Sequence, residues 1–158
     1  MKRAAFFEKR QCKPLRVKNP STGCEIVANP QRDAIIGPNL DEEICRLPGL
    51  YGWYAQLRDN AKVYYNETMH AEHNTEEELY KLFTLKAEKK GEKKTTETSL
   101  KMQIKAHDRM REAYRLRMEA QAQLAHLESA VQMIEYKKWC LQSLVKLRSF
   151  EFNLKDSI

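Results

Sequence analysis

Apolar positions along the chain fall into two long helical seams separated by a polar, basic stretch. Leu50, Tyr54, Leu57, Ala61, Tyr64, Thr68 and Ala71 recur at alternating spacings of four and three. That period of about 3.5 residues keeps one stripe against a neighbouring helix. The register restarts after Asn74 at Leu79, Leu82 and Phe83. Pro48 suits the first turn of a helix, where its missing N–H costs nothing, and Gly91 suits an end. The pattern therefore predicts a first helix over 48–90, interrupted near Asn74 and Thr75. A second stripe runs through Leu116, Ala120, Leu124, Leu127, Val131, Ile134, Leu141 and Val145, with Asp108 placed to cap it. Met133, Trp139, Cys140, Leu144 and Leu147 widen it, and a wide stripe buries against more than one neighbour. Forty residues over 109–148 make roughly 60 Å of helix at about 1.5 Å per residue.

Outside the seams the pattern changes. Residues 1–47 hold four of the five prolines and show no helical period. Residues 14–18 and 24–27 flank the turn Asn19-Pro20-Ser21-Thr22-Gly23, which predicts one short β-hairpin on an extended basic arm. Leu100, Met102 and Ile104 alternate with Lys101, Gln103 and Lys105, an extended signature, and Ser149 to Leu154 alternate again as a short tail. The expected fold is mainly α: two long helices in a helical hairpin or coiled-coil arrangement, assembling as a homo-oligomer. A basic N-terminal arm with the hairpin spans 1–47, and a helical oligomerisation and nucleic-acid-binding domain spans 48–158. In that reading Leu124, Leu127, Val131, Ile134, Leu141 and Val145 form the oligomerisation core.

Composition explains why copies would be needed. Leu, Ile, Val and Phe make up 33 of 158 residues, close to the level at which a charged chain stays disordered. Mean hydropathy is −0.73, so a single chain buries little surface. No apolar run approaches the roughly 20 residues of a membrane span, and the basic start is too short in apolar residues for a secretory signal. Cys12, Cys24, Cys45 and Cys140 form no C-x-x-C pair. Free thiols in the cytoplasm are the expectation.

The net charge of +6 conceals an uneven distribution. Residues 1–18 carry seven basic and one acidic side chain, residues 41–80 three and nine, and residues 85–117 eleven and five. Separated blocks of opposite sign suggest a polyanionic partner and head-to-tail contact between copies.

Little in the chain points to catalysis. His70 and His73 lie three apart on a helix but lack further ligands at zinc-like spacing, and the cysteine gaps are irregular. No phosphate-binding glycine loop and no activated nucleophile motif is present. No enzyme activity, metal or cofactor is expected. The rings of the cluster Tyr51, Trp53, Tyr54, Tyr64 and Tyr65, spaced at three and four, are mostly expected to pack along the first seam, but Tyr80, Phe83 and Tyr114 each lie within a few positions of Lys or Arg. Cations for phosphates and ring faces for unpaired bases are what a single strand requires. Lys86, Lys89, Lys90, Lys93 and Lys94 are the first candidates, and a solvated Lys/Glu linker explains them equally well. Lys101, Lys105, Arg109, Arg111, Arg115 and Arg117 lie on the extended piece and the start of the second helix, where they can be held in place.

An aromatic-rich helix opening (Leu50-Tyr51-Gly52-Trp53-Tyr54), a basic connector and a long C-terminal helix carrying Ala130-Val131-Gln132-Met133-Ile134-Glu135-Tyr136-Lys137-Lys138-Trp139 and Leu144-Val145-Lys146-Leu147-Arg148 follow in order. Over residues 48–150 this layout resembles the UvsY-type recombination mediators of T-even-like phages. The resemblance implies a ring-like helical homo-oligomer that binds single-stranded DNA. It further implies displacement of a single-strand-binding protein and loading of a RecA-like recombinase. The family's basic stretch, closed by paired aromatics and a glycine, has its nearest counterpart, in altered order, in residues 79–91; it implies DNA contact at Lys81, Lys86, Lys89 and Lys90. Two other readings stay open on the residues: a coiled-coil scaffold or assembly adaptor without nucleic acid, and an RNA-binding helical protein.

Overall fold

The computed structural model describes residues 15–18, 25–89 and 96–155, the side chains of 18, 89 and 152–155 excepted. Strands β1 (Leu15–Lys18) and β2 (Glu25–Ala28) form an antiparallel hairpin in which Leu15 pairs with Ala28 and Val17 with Ile26. Alternation sends Val17 and Ala28 inward, and both are buried. The predicted hairpin is present, though its turn and the basic arm before it lie outside the described residues.

A single turn, α1 (Pro30–Asp33), follows, with Asn29 accepting the Arg32 N–H and Pro30 in the first helical position. Helix α2 then runs unbroken over Leu40–Lys89. Its start corrects the sequence expectation, because Pro48 sits inside the helix. Asn39 caps it by accepting the Glu42 N–H at 3.4 Å, and Asp41, Glu42 and Glu43 place negative charge on the first turn. These features hold the end that Pro48, which removes one backbone bond, does not provide. The expected interruption near Asn74 is also absent: the Thr75 hydroxyl donates to the Ala71 carbonyl at 2.8 Å, inside continuous helix.

Residues 100–105, expected to be extended, belong to helix α3 (Glu97–Ala106). Thr96 caps it, accepting the Ser99 N–H, and Leu100 and Ile104 are buried one turn apart while Met102 stands exposed. His107 closes α3 and opens α4 (Asp108–Lys155); its Nδ1 accepts the Arg109 N–H at 3.2 Å and its carbonyl accepts from Met110 and Arg111. Capping thus falls to His107, and Asp108 occupies the first turn. The expected C-terminal tail is the continuation of α4.

The chain divides into two compact units. In the first, Met1–Asn60 with His126–Ile158, the start of α2 packs antiparallel on the end of α4: Tyr51 donates to Glu135 and Glu43 pairs with Lys137. Tyr54, Ala130, Val131, Ile134 and Ala28 form its core, with Leu15, Ala34, Leu47 and Leu50 against them. In the second, Ala61–Ala125, the remainder of α2 packs on α3 and the start of α4. Leu79, Leu100 and Ile104 form the core there, flanked by Phe83 and Met110. The fold is mainly α, two long helices packing together beside a small β-hairpin. No helix among the described residues is long and apolar enough to cross a membrane.

Candidate nucleic-acid interface

All the described candidates for phosphate and base contact lie in the second unit. The end of α2 presents Tyr80, Lys81, Phe83 and Lys86; α3 presents Lys101 and Lys105; α4 presents Arg109, Arg111, Tyr114, Arg115 and Arg117. Lys90, Lys93 and Lys94, and the side chain of Lys89, lie outside the described residues. Helical spacing assembles the rest, since Lys101 and Lys105 form one i, i+4 row on α3 and both are exposed.

Two of the three rings have a cation beside them. The Lys86 ammonium lies 5.8 Å from the Phe83 centroid, and the Arg117 guanidinium 5.1 Å from that of Tyr114. Tyr80 and Tyr114 are about half exposed, and Arg117 lies over one face of the Tyr114 ring. Phe83 is more enclosed, edge-on to His107 at 6.0 Å.

The arginines are not bare charges. Arg109 bonds Glu78 at 2.8 Å, and Arg115 is held by Glu112 at 2.6 Å and Glu119 at 2.5 Å. Arg117 pairs with Glu72, both side chains largely covered. Hydrogen bonding to Glu112 raises the Arg115 pKa, and Arg115 in turn holds the Glu112 carboxyl below its usual range. Arg111 reaches Asp108 only at 3.9 Å. Lys101 bonds Glu97 at 2.7 Å, which raises the Lys101 pKa and lowers that of Glu97. Among the described candidates, Lys81, Lys86 and Lys105 carry no ion pair. The charges most available to phosphate are therefore lysines of α2 and α3.

The expected oligomerisation residues divide in a similar way. Leu127, Val131, Ile134 and Leu141 are buried within one chain, Leu124 is half-buried, and Val145 is exposed. The widening residues fare differently, with Trp139, Leu144 and Leu147 all exposed.

A buried site was missed in the sequence. Lys137 donates to Glu43 Oε2 at 2.5 Å and to the carbonyls of Asp33 and Ile35 at 2.8 and 2.9 Å. The Gly37 N–H donates to the second oxygen of Glu43 at 3.0 Å, and a Cβ at Gly37 would stand 2.8 Å from that oxygen. Tyr54 completes the cluster by donating to Asp33 at 2.7 Å. The available signal is the gap in the apolar stripe between Ile134 and Leu141, which a lysine fills.

His73 faces Glu77 at 3.3 Å, and no group of three or more His, Cys, Asp or Glu suited to a metal occurs among the described residues. Comparison with protein-family models, with curated proteins and with solved structures finds no match.

Proposed function

We propose that the chain is a non-enzymatic, oligomeric single-stranded-DNA-binding protein of the recombination-mediator kind. In this role it helps displace a single-strand-binding protein and load a RecA-like recombinase. The observation that carries the DNA contact is the pairing of rings and cations in the second unit, Phe83 under Lys86 and Tyr114 under Arg117, with the half-exposed Tyr80 and the exposed Lys101 and Lys105 in the same unit. Exposed pairs such as Arg109–Glu78 are worth about 0–1 kcal/mol, so a phosphate can replace the carboxylate at small cost. Mediation and the identity of the partners rest on the resemblance of layout over 48–150.

A scaffold without nucleic acid is the second reading, favoured by the carboxylates that already occupy Arg109, Arg115 and Arg117. Fluorescence anisotropy of a labelled single-stranded oligonucleotide separates the two. Affinity should fall steeply as salt rises, because each neutralised phosphate releases counterions. Absence of binding, or binding indifferent to salt, removes the DNA reading. Mediation is checked by adding the protein to DNA coated with single-strand-binding protein. Recombinase nucleation should accelerate, and an unchanged rate excludes the loading role.

A further inference from the structure

Beyond Ile134 the helix α4 carries two apolar stripes. One faces the core through Lys137 and Leu141, both buried. The other points away from it: Tyr136, Trp139, Leu147 and Phe150 recur at spacings near multiples of 3.6 and are 72, 67, 62 and 67 % exposed. Nothing among the described residues covers this face. Grooves of about 530 and about 650 Å³ flank it, the first lined by Pro48, Tyr51 and Trp139, the second by Ile36, Met133 and Tyr136.

Its charge decides what it suits. Between Glu135 and Glu151 the helix has four Lys or Arg and no Asp or Glu. Lys137 is taken up by Glu43, whereas Lys146 borders the exposed stripe, Lys138 lines the groove beside Trp139, and neither has an ion pair among the described residues. Glu135, at the margin, accepts the Tyr51 hydroxyl at 3.2 Å. A two-fold contact with the same face of another copy would set these lysines against each other. Three of the four large apolar side chains are rings, and open ring faces beside free cations match a single strand, whose bases stack while its phosphates need counter-charge.

We propose that the outer face of α4 over residues 136–150 is a second single-stranded nucleic-acid contact. Tyr136, Trp139 and Phe150 stack bases there, and Lys138 and Lys146 hold the neighbouring phosphates. This rests on the reading that the chain binds single strands, and adds a site on the first unit to the one on the second.

The chain has two tryptophans, Trp53 and Trp139, so a Trp53→Phe background leaves Trp139 as its own reporter. Titration with an oligothymidylate of about 15 nucleotides, a length within single-strand site sizes, should quench its fluorescence. Trp139→Ala should weaken binding about tenfold, within the range for loss of one stacked base, and Trp139→Phe should restore most of it. Lys138→Ala with Lys146→Ala should lower the salt slope by about 1.4, at about 0.7 per phosphate on a single strand. Circular dichroism and oligomer mass should not change. If binding is intact in these variants and falls only on Lys101→Ala and Lys105→Ala, the second contact is wrong and the first reading stands. Loss of oligomer mass in Trp139→Ala assigns the face to self-association and overturns the proposal. If the unaltered chain binds no oligonucleotide, both readings fail together.

Discussion

At the scale of single residues, the Lys137 cluster is where most is at stake. Lys137 is 5 % and Glu43 15 % exposed, and taking two such charges out of water costs several kcal/mol each unless their partners are complete. Here they are: the ammonium has one carboxylate and two carbonyls, and the carboxylate has the ammonium and a backbone N–H. Lys137→Met should therefore destabilise the fold by about 3–5 kcal/mol, the range for breaking a buried pair from one side. Urea denaturation at pH 7 measures it, and Lys137→Met with Glu43→Leu should recover part of the loss. The hydrogen bond from Lys137 holds the Glu43 carboxyl below its usual range, burial opposes this, and the Gly37 N–H assists it. A carboxyl depressed in the folded state stabilises above its unfolded value of about 4.3 and ceases to do so as pH falls through the folded value. The urea midpoint should fall on acidification below about pH 4, and this component should be absent in Glu43→Leu.

At the scale of elements, α3 shows how one pattern can serve two structures. Leu100, Met102 and Ile104 satisfy a strand's period of two, but Leu100 and Ile104 alone satisfy a helical turn, and these two are buried. Ile104→Ala should cost about 2–5 kcal/mol, whereas Met102→Ala, at a side chain 68 % exposed, should stay within about 0.5 kcal/mol. Equal losses at the two positions would restore the strand. The seams were legible because a 3.5-residue repeat survives over many turns: Tyr54, Leu57, Ala61 and Thr68 are buried as expected. The hairpin was legible because its turn residues have few other uses. Boundaries were not, because capping depends on atoms rather than periods. Asn39 with three acidic residues competes with Pro48 as a start, and the geometry selects Asn39. Thr96 likewise opens a helix in a run of small and β-branched residues that reads as poor helix. Cation positions at the candidate site were legible, but their carboxylate partners were not: Glu72 and Glu78 reach Arg117 and Arg109 across 45 and 31 positions of sequence.

At the scale of the molecule, the question is whether the positive charge of the second unit is free to act. Residues 85–117 hold eleven basic against five acidic side chains, yet the ion pairs draw off the arginines first and leave Lys86 and Lys105 exposed and unpaired there, with Lys81 likewise just before them. Replacing Lys86, Lys101 and Lys105 with alanine should lower the single-strand salt slope by about 2, at about 0.7 per phosphate, with oligomer mass unchanged. The converse substitution is more discriminating. Glu112→Gln with Glu119→Gln removes both carboxylates from Arg115, which they hold at 2.6 and 2.5 Å, and leaves the helix surface otherwise alike. If α4 lies along a phosphate backbone, freeing Arg115 and deleting two negative charges should tighten oligonucleotide binding about two- to tenfold at 50 mM salt. The gain should shrink towards 0.5 M salt, as the screening length drops well below its value of about 10 Å at 0.1 M. A scaffold that uses these pairs only to rigidify its own surface gives the opposite result: no gain in binding at any salt, and a small loss of helix stability from the missing i, i+3 and i, i+4 contacts.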